Sequence, residues 1–524
     1  MKKKLLTGLL AVLMLVSTAA CSGGGESNSS TSSSSGNVIS EAGGDESAAS
    51  QTSETVDPMA EHVTLQVVVY GDKSERMREF ESNELADEMN EKLNIDLVVT
   101  YLPWSENEGG RSDLMLASGE DFATYTSPTY TARCASKGVL ADLTQAAENY
   151  LPDLRDVVQA EAFESFTIDG KLYSIPIGNK PNSGEGYCFQ VRQDILEEVG
   201  MTELTSVEDF EEFFCLAREI YPDITGVSSL NNIGQQLSYT VSDKNIEFVD
   251  TRLSDTAMIF TDADADDSTL YSWLESDEFK KTAEITHSWY ESGIIAEYAL
   301  SNPNQLSADW EAGKCLSKFG NAAGILKPDA NLLNAVPDAE VGVYYLNRGD
   351  RPKLNTQLWN TAWLVSAGAE DPNRYCMLFN YMQQSQENID FLQYGVEGVD
   401  YTVDEAGNIT RMTDDGFFDG WMLENKNYMR FDPDVSEDKI EVYTSWDDDS
   451  IPAKSLGFSF DDTEVQVERA ALDAIVEEYA KPILYGVVAY EDGYEELLSR
   501  MEEAGFQKYF DEFQRQFTEW YENR

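Results

Sequence analysis

The sequence contains only two histidines, His62 and His287, among 524 residues. Ser-His-Asp and Cys-His mechanisms need a histidine beside the nucleophile, and neither histidine has a nucleophile motif nearby. The patterns GxSxG, HExxH and GxxxxGK[ST] do not occur. The stretch GEGYCF, which starts at Gly184, lacks the third glycine of a dinucleotide-binding loop. These absences indicate a protein that is not an enzyme of these classes and that needs no cofactor.

The cysteines show neither a disulfide pattern nor a zinc pattern. Six are present, widely spaced and without a CxxC pair. We expect most of those that follow Cys21 to be buried small apolar side chains. They are Cys134, Cys188, Cys215, Cys315 and Cys376.

Basic residues are scarce, with 37 Lys and Arg against 96 Asp and Glu and a net charge of −59. Nucleic-acid binding needs a basic surface, so this balance excludes that partner. The acidic residues are spread along the chain, which favours a well-solvated surface over selection for a cationic ligand.

One acidic run, Asp262 to Asp267, has the start of a calcium-binding loop. Asp262, Asp264 and Asp266 fit ligand positions 1, 3 and 5. Asp267 then stands where such loops need glycine, and Trp273 stands where they need glutamate. The run is better interpreted as a solvated loop, and we predict no metal site.

The longest hydrophobic run, Leu5–Val16, is shorter than the about 20 residues that span a membrane. It follows three lysines and precedes small residues and Cys21, which resembles the lipobox of bacterial lipoproteins, although Thr18 replaces the usual leucine. We therefore predict a signal peptide over residues 1–20, lipidation of Cys21 and attachment to the extracellular face of the cell membrane. Residues 21–61 are rich in Ser, Gly and acidic residues, which predicts a disordered tether.

The folded body begins at His62 and alternates strand and helix patterns. A strand there is followed by a helix over Ser74–Leu93 and by a second strand that ends at Trp104. This alternation predicts an α/β fold with mostly parallel sheets flanked by helices. Ligands of such sheets bind at the carboxyl ends of strands, where we expect Tyr70, Trp104 and the turn Gly119–Asp121.

The last helical run carries an aromatic stripe at three- and four-residue steps. This spacing predicts the buried face of a helix that docks on the core. The stripe consists of Phe506, Phe510, Phe513, Phe517, Trp520 and Tyr521.

Several segments, in this order, resemble the extracellular solute-binding lipoproteins of bacterial ABC importers, specifically the carbohydrate-type family 1 group common in Gram-positive bacteria. They are LASGEDF, KGVLADLTQ, DGKLYSIPIG, VRQDILEEVG, SVEDFEEF, WYESGII, EAGKCLSKFG and WLVSAGAEDPNRYCMLFNYM. The region after residue 390 looks like the C-terminal domain, of unknown function, of one lipoprotein subgroup. The resemblance implies a two-lobed periplasmic-binding-protein-like (type II) fold that closes on a ligand at a hinge. It places lobe 1 at 62–186 and 359–452 and lobe 2 at 187–358 and 453–524.

Sugar sites of this family stack aromatic rings on the sugar and bind its hydroxyls with carboxylates and amides. By position, the resemblance implies a ligand site made of Trp104, Glu120, Asp121, Tyr187, Trp310, Trp359 and Asn360. Trp104 and Trp359 are equally compatible with core or hinge packing. Trp310 also suits packing against its own helix, and Asp121 suits a helix cap.

The function implied is capture of a sugar or oligosaccharide by a monomer that delivers it to the permease subunits of an ABC importer. A peptide or polyamine receptor of the same fold is an alternative that the acidity favours. A surface glycoside hydrolase is another, because two carboxylates suffice for that chemistry.

Overall fold

The structure is a computed structural model. It describes residues 58–524 except 72, 104–105, 108–109, 159, 178–186, 231–232, 251–258, 327, 329, 348, 350, 356–361, 414–419, 424 and 459. In this described part, no helix combines the length and the apolar character that crossing a membrane would take.

The strands are numbered in chain order. They are β1 Val63–Tyr70, β2 Ile95–Leu102, β3 Ala123–Thr126, β4 Thr167–Ile168, β5 Lys171–Leu172, β6 Ser174–Pro176, β7 Tyr187–Arg192, β8 Thr225–Val227, β9 Ile246–Asp250, β10 Ile259–Asp262, β11 Tyr271–Ser272, β12 Cys315–Asn321, β13 Val341–Tyr344, β14 Leu354–Asn355, β15 Ala362–Val365, β16 Tyr401–Val403, β17 Ile409–Arg411 and β18 Ile451–Pro452.

The helices are numbered in the same way. They are α1 Glu75–Ser82, α2 Glu84–Leu93, α3 Arg111–Ser118, α4 Pro128–Ser136, α5 Thr144–Tyr150, α6 Pro152–Val157, α7 Ala160–Glu164, α8 Gln193–Glu198, α9 Val207–Ile220, α10 Ile233–Val241, α11 Asp277–Ser292, α12 Pro303–Glu311, α13 Ala330–Ala335, α14 Pro372–Met382, α15 Gln386–Tyr394, α16 Gly420–Leu423, α17 Glu437–Thr444, α18 Gln466–Ile475, α19 Lys481–Leu484, α20 Tyr490–Glu503 and α21 Phe506–Asn523.

The first large sheet has the strand order β2-β1-β3-β15-β6. β1 pairs in parallel with β2 and β3, whereas β15 pairs antiparallel with β3 and β6. Both faces are covered: Val67 and Val69 face one apolar cluster, and Val68 and Tyr70 face another. Burial on both faces explains why β1 reads as a nearly continuous apolar run rather than an alternating one.

The second large sheet has the order β13-β7-β12-β8. β7 is antiparallel to both of its neighbours, and only β12 and β8 are parallel. In each large sheet a single strand runs against the others, β15 in the first and β7 in the second, so most strands share one direction as predicted. Which strand is reversed depends on pairing between distant segments, which local patterns do not encode.

Each large sheet has its own core. The core beside the first sheet takes its residues from 65–177 and 362–423. The core beside the second takes them from 189–346 and 460–517. We call these two bodies the first and the second lobe.

The C-terminal aromatic stripe lies where the sequence predicts it. Phe506, Phe513 and Phe517 of α21 are buried in the core of the second lobe, and Trp520 packs against it. Residues more than two hundred positions from β7 thus complete the core beneath that strand.

The predicted helix over Ser74–Leu93 is divided in two at Asn83, whose φ of −122° and ψ of −82° are not helical. The Asn83 side-chain amide donates to the carbonyl of Glu79 at 2.8 Å, a local bond that competes with the helical backbone. β2 also ends earlier than predicted, at Leu102, because Pro103 has no N–H for a sheet ladder.

The five cysteines in the described residues are unpaired. Four are buried, as predicted, and Cys215 on α9 is exposed. Burial raises the pKa of the Cys134 thiol to about 11, so that thiol is protonated at neutral pH.

Candidate functional site

One edge of the first sheet collects its carboxyl ends. β1, β2 and β3 run in the same direction and end there at Tyr70, Leu102 and Thr126. β6 ends at the same edge with Pro176, and the antiparallel β15 begins there with Ala362. This is the edge at which α/β sheets bind ligands.

The second sheet has an equivalent edge. β8, β12 and β13 share one direction and end at Val227, Asn321 and Tyr344. β7 runs the other way and begins at this edge with Tyr187.

The chain joins these two edges directly. Residues 178–186 lead from the end of β6 to the start of β7, and residues 345–361 lead from the end of β13 to the start of β15. The first connection runs from Pro176 to Tyr187, so its two ends are at most about 40 Å apart. The region between the two edges is therefore the candidate functional site.

Three residues predicted to bind ligand lie outside the described residues: Trp104, Trp359 and Asn360. Each adjoins the first-sheet edge in sequence, next to β2 or β15. Tyr187 begins β7 at the facing edge.

The turn Gly119–Asp121 is not at a carboxyl end, which corrects our expectation. It precedes β3 and therefore lies at the opposite edge of the first sheet from Tyr70. The Asp121 carboxylate accepts the Tyr375 hydroxyl at 2.8 Å and the Glu370 N–H at 3.0 Å. These bonds tie the turn to the start of α14 and give Asp121 a role that needs no ligand.

Glu120 lies in the same turn and is exposed. The Ser118 hydroxyl donates to its carboxylate at 3.1 Å, and its carbonyl accepts the Ser366 hydroxyl at 2.6 Å. Asp121 does not cap the next helix either, because Ser127 caps α4. The sequence pattern shows that a helix ends and a strand begins here, but not which strand end faces the other lobe.

Trp310 is 3% exposed and packs in a small apolar cluster with Cys315, Leu332 and Val341. The Lys318 ammonium lies 5.2 Å from its ring centroid. α12 leads into the start of β12, so Trp310 lies in a helix that joins the sheet at the edge away from Asn321. This placement favours the packing interpretation of Trp310 over ligand contact.

Sequence reasoning missed a polar cluster near the first-sheet edge. α3 and α4 both begin beside this edge, and they bring together Asp113, Tyr130 and Arg133. The buried Tyr130 hydroxyl donates to the Asp113 carboxylate. The Arg133 guanidinium lies 3.7 Å from that carboxylate and 4.7 Å from the Tyr130 ring centroid.

This cluster keeps hydrogen-bonding capacity for a ligand. The side chains of Asp113 and Arg133 are 31% and 34% exposed. The Arg133 Nε and Nη2 atoms are buried and form no hydrogen bond within the described structure, so a ligand would meet the exposed part of this side chain. Burial and the bond to Asp113 raise the pKa of Tyr130, so its hydroxyl stays protonated and continues to donate. No motif marked these residues, because they become neighbours only when two helices pack.

Three hydrogen-bonded, buried hydroxyl groups hold the polar cluster of Asp113, Tyr130 and Arg133 in position relative to the sheet. Thr131 lies 3.0 Å from Thr126 and 2.9 Å from Ser174, measured between side-chain oxygens, and all three residues are fully buried. The bonds link β3, α4 and β6. They fix the first turn of α4, and with it Tyr130, relative to the sheet.

On the second-sheet side, Tyr345 directly follows the end of β13 and is partly exposed. Its ring centroid lies 5.8 Å from that of Trp446. The partner ring holds Tyr345 in place, so its remaining surface is an ordered aromatic face at the second-sheet edge.

In the described part of the chain, no three His, Cys, Asp or Glu side chains form a group that could hold a metal ion. The Asp262–Asp267 loop uses its carboxylates internally: Asp262 accepts the Asp264 N–H at 3.2 Å, and Asp267 accepts the Thr269 N–H at 2.9 Å. His287 bonds through Nδ1 to the carbonyl of Gly486 at 2.7 Å, which is a packing role.

A family model described as bacterial extracellular solute-binding protein matches residues 84–396, more than half of the chain. The chain belongs to this family. The resemblance noted from the sequence is confirmed, and residues 454–522 match a second model, a domain of unknown function.

A relative of this solute-binding protein is a carbohydrate ABC transporter substrate-binding protein of Streptococcus pneumoniae. It is 21% identical over 463 residues, which cover 87% of this chain and 90% of the relative.

Two solved structures share the fold. The N-glycan transport solute-binding protein of S. pneumoniae, in complex with Man1GlcNAc, has a TM-score of 0.68 and 19% identity, covering 88% of this chain and 100% of that one. An HMO-binding, ABC-transporter-associated solute-binding protein of Bifidobacterium longum infantis has a TM-score of 0.62 and 15% identity, covering 87% and 99%. The two-lobed α/β fold is thereby confirmed.

Proposed function

We propose that this protein captures an oligosaccharide between its two lobes and delivers it to the permease subunits of an ABC importer. The observation that carries the proposal is the pair of sheet edges that two chain connections join, in a member of the solute-binding family. Relatives whose names refer to N-glycan, HMO or carbohydrate transport support the choice of ligand class.

The proposed ligand contacts come from both edges. Trp104, Tyr187 and Trp359 supply aromatic faces, and Asn360 supplies an amide, as predicted from the sequence. Aromatic rings bind the apolar face of a sugar with a large contact area at low entropic cost.

We add three residues from the structure. Asp113 offers an acceptor for sugar hydroxyls, the partly exposed Arg133 guanidinium offers a donor, and Tyr345 offers a further ring. Glu120, Asp121 and Trp310 do not belong to the proposed site, because their side chains lie away from the facing edges or are occupied by internal contacts.

The remaining parts of the proposal follow the sequence. The protein is a monomer that binds without turnover, and its signal peptide is removed before Cys21. A lipid on Cys21 and the tether over 21–61 hold it at the extracellular face of the membrane. The lobes exchange at about residues 187, 359 and 453 and close on the ligand by hinge motion.

A thermal-shift screen on the chain from Glu61 onward tests the function. A ligand at 100 times its Kd stabilises the folded state by about 2.7 kcal/mol, which raises Tm by a few degrees. We expect shifts with neutral oligosaccharides such as Man5GlcNAc, and no new products by chromatography. Shifts only with polyamines or basic peptides would instead support the alternative receptor, and released sugars would support a hydrolase.

A further inference from the structure

Two short strands outside the large sheets pair where the chain passes between the lobes. β14 precedes the connection to β15 of the first sheet, and β18 follows the last helices of that lobe. They pair in parallel, Leu354 with Ile451 and Asn355 with Pro452. We call residues 351–355 and 446–453 the interlobe ribbon.

The Lys353 side chain links the two segments of this ribbon, 351–355 and 446–453. Its ammonium donates to the carbonyl of Trp446, lies 4.6 Å from the centroid of the Trp446 ring and is 2.9 Å from the Asp449 carboxylate. The Lys353 side chain is 15% exposed, so water screens these contacts only in part. Backbone bonds from Ile451 to Lys353 and from Ala453 to Asn355 complete the ribbon.

Immediately after the ribbon, the chain is tied to the second lobe by a buried carboxylate. Glu247 on β9 is 0% exposed. It accepts the backbone N–H groups of Lys454 at 2.6 Å and Ser455 at 2.7 Å. Hydrogen bonds to a carboxylate are roughly twice as strong as neutral ones, so these two bonds hold the peptide at 454–455 against β9.

Lys454 adds a second attachment. Its ammonium donates to the carbonyl of Asp262 at 2.6 Å and to the Thr261 hydroxyl at 3.3 Å, both on β10. Its carbonyl accepts a bond from Arg524, the last residue, at 2.6 Å. The end of the ribbon is thus held between β9, β10 and the C-terminus.

We propose that Glu247 is a positioning residue that fixes the interlobe ribbon to the second lobe, so that the ribbon and the region 454–522 move with this lobe as one body. This gives the C-terminal domain of unknown function a role: it holds one side of the hinge. The consequence for lobe closure rests on the proposed function.

Amide hydrogen exchange on the ligand-free full chain, carrying Cys21→Ser, tests the anchor. We expect Glu247→Gln, which replaces one of the two acceptor oxygens with an NH₂ donor, to speed exchange at least about tenfold in residues 351–355 and 446–455. The matched control is Asp309→Asn, since Asp309 is also a buried carboxylate of the second lobe but accepts bonds from Tyr298 and Gln305, which are not part of the ribbon. The control is expected to leave ribbon exchange unchanged; equal acceleration in both variants, or none in Glu247→Gln, would overturn the proposal.

A distance measurement tests the coupling between lobes. Spin labels on the exposed Cys215 of the second lobe and on Val98→Cys, at a position 45% exposed in β2, report the interlobe distance. Without ligand, Glu247→Gln should broaden the distance distribution relative to Asp309→Asn. An unchanged distribution would refute the coupling. Neither measurement uses a sugar, so a failed ligand screen leaves both results interpretable.

Discussion

The two lobes bury their large sheets by different means. The first sheet is covered on both faces by clusters whose residues all precede position 424. The second sheet has one extensive core, which needs residues 460–517, and a small cluster around Trp310 on its other face. The second lobe is therefore incomplete until the C-terminus has docked, whereas the first lobe can close its core earlier in the chain.

The polar anchors of the lobes differ as well. In the first lobe, Arg76 forms a two-pronged ion pair with Asp400, at 2.8 and 2.7 Å. In the second lobe, Glu247 binds backbone N–H groups instead. One anchor joins two parts of a lobe, and the other joins a lobe to the ribbon.

The largest expected effect is a loss of stability when α21 can no longer pack fully into the core of the second lobe. Phe517 is 0% exposed and lies against the rings of Phe458 and Trp520. Phe517→Ala should lower the free energy of unfolding by about 3–5 kcal/mol, measured by urea denaturation, because it leaves a cavity. Phe510→Ala on the same helix removes a half-buried ring and should cost clearly less; equal losses would contradict the docking of α21 described here.

A smaller loss is expected in the first lobe from Asp400→Asn. The change takes the two-pronged carboxylate partner from the Arg76 guanidinium, whose side chain is 19% exposed, and leaves it the Glu84 carboxylate at 3.2 Å. We expect a loss of about 1–3 kcal/mol in the free energy of unfolding. Asp448→Asn, at an exposed position, is the control, and a similar loss there would show that Asp400 has no special role.

The ligand site gives a contrast between affinity and stability. Arg133→Met removes the partly exposed guanidinium but keeps an unbranched side chain, so the Kd for a bound oligosaccharide should rise about tenfold. Trp310→Phe, in the buried cluster, should lower Tm and leave that Kd unchanged. Calorimetric titration measures the Kd of both variants. A Kd that rises in Trp310→Phe but not in Arg133→Met would place the ligand site at Trp310 instead.

The smallest expected effect is on how the free energy of unfolding changes at acidic pH, through the Arg76–Asp400 pair. Burial acts to raise the pKa of Asp400, but the hydrogen bonds from Arg76 outweigh it, and the pKa lies below its usual value. The contribution of the pair is therefore complete above about pH 4 and is lost as the pH falls through the lower folded pKa. Denaturation between pH 5 and 2 should show a shallower pH dependence for Asp400→Asn than for the original chain; identical slopes would contradict the assignment.

Local patterns predicted the elements well and their ends less well. The apolar run of β1 and the stripe of α21 could be read directly, because burial and periodicity are local properties. The break at Asn83 could not, since it depends on a side-chain bond to Glu79 that competes with the helix. For the candidate site, the aromatic residues that adjoin β2, β7 and β15 in sequence stay a prediction, whereas the Asp121 turn lies at the sheet edge opposite Tyr70.

By itself, the sequence determined the class of protein: an acidic α/β chain with a lipoprotein-like start and the ordered segments of a solute-binding family. The tertiary structure decided which strand ends share a sheet edge and that Asp113 and Arg133 become neighbours. It also decided that Glu247 accepts hydrogen bonds from backbone N–H groups more than two hundred residues away. The physical reason is that composition and periodicity act over a few residues, whereas strand direction, side-chain convergence and buried hydrogen bonds depend on which distant segments pack together.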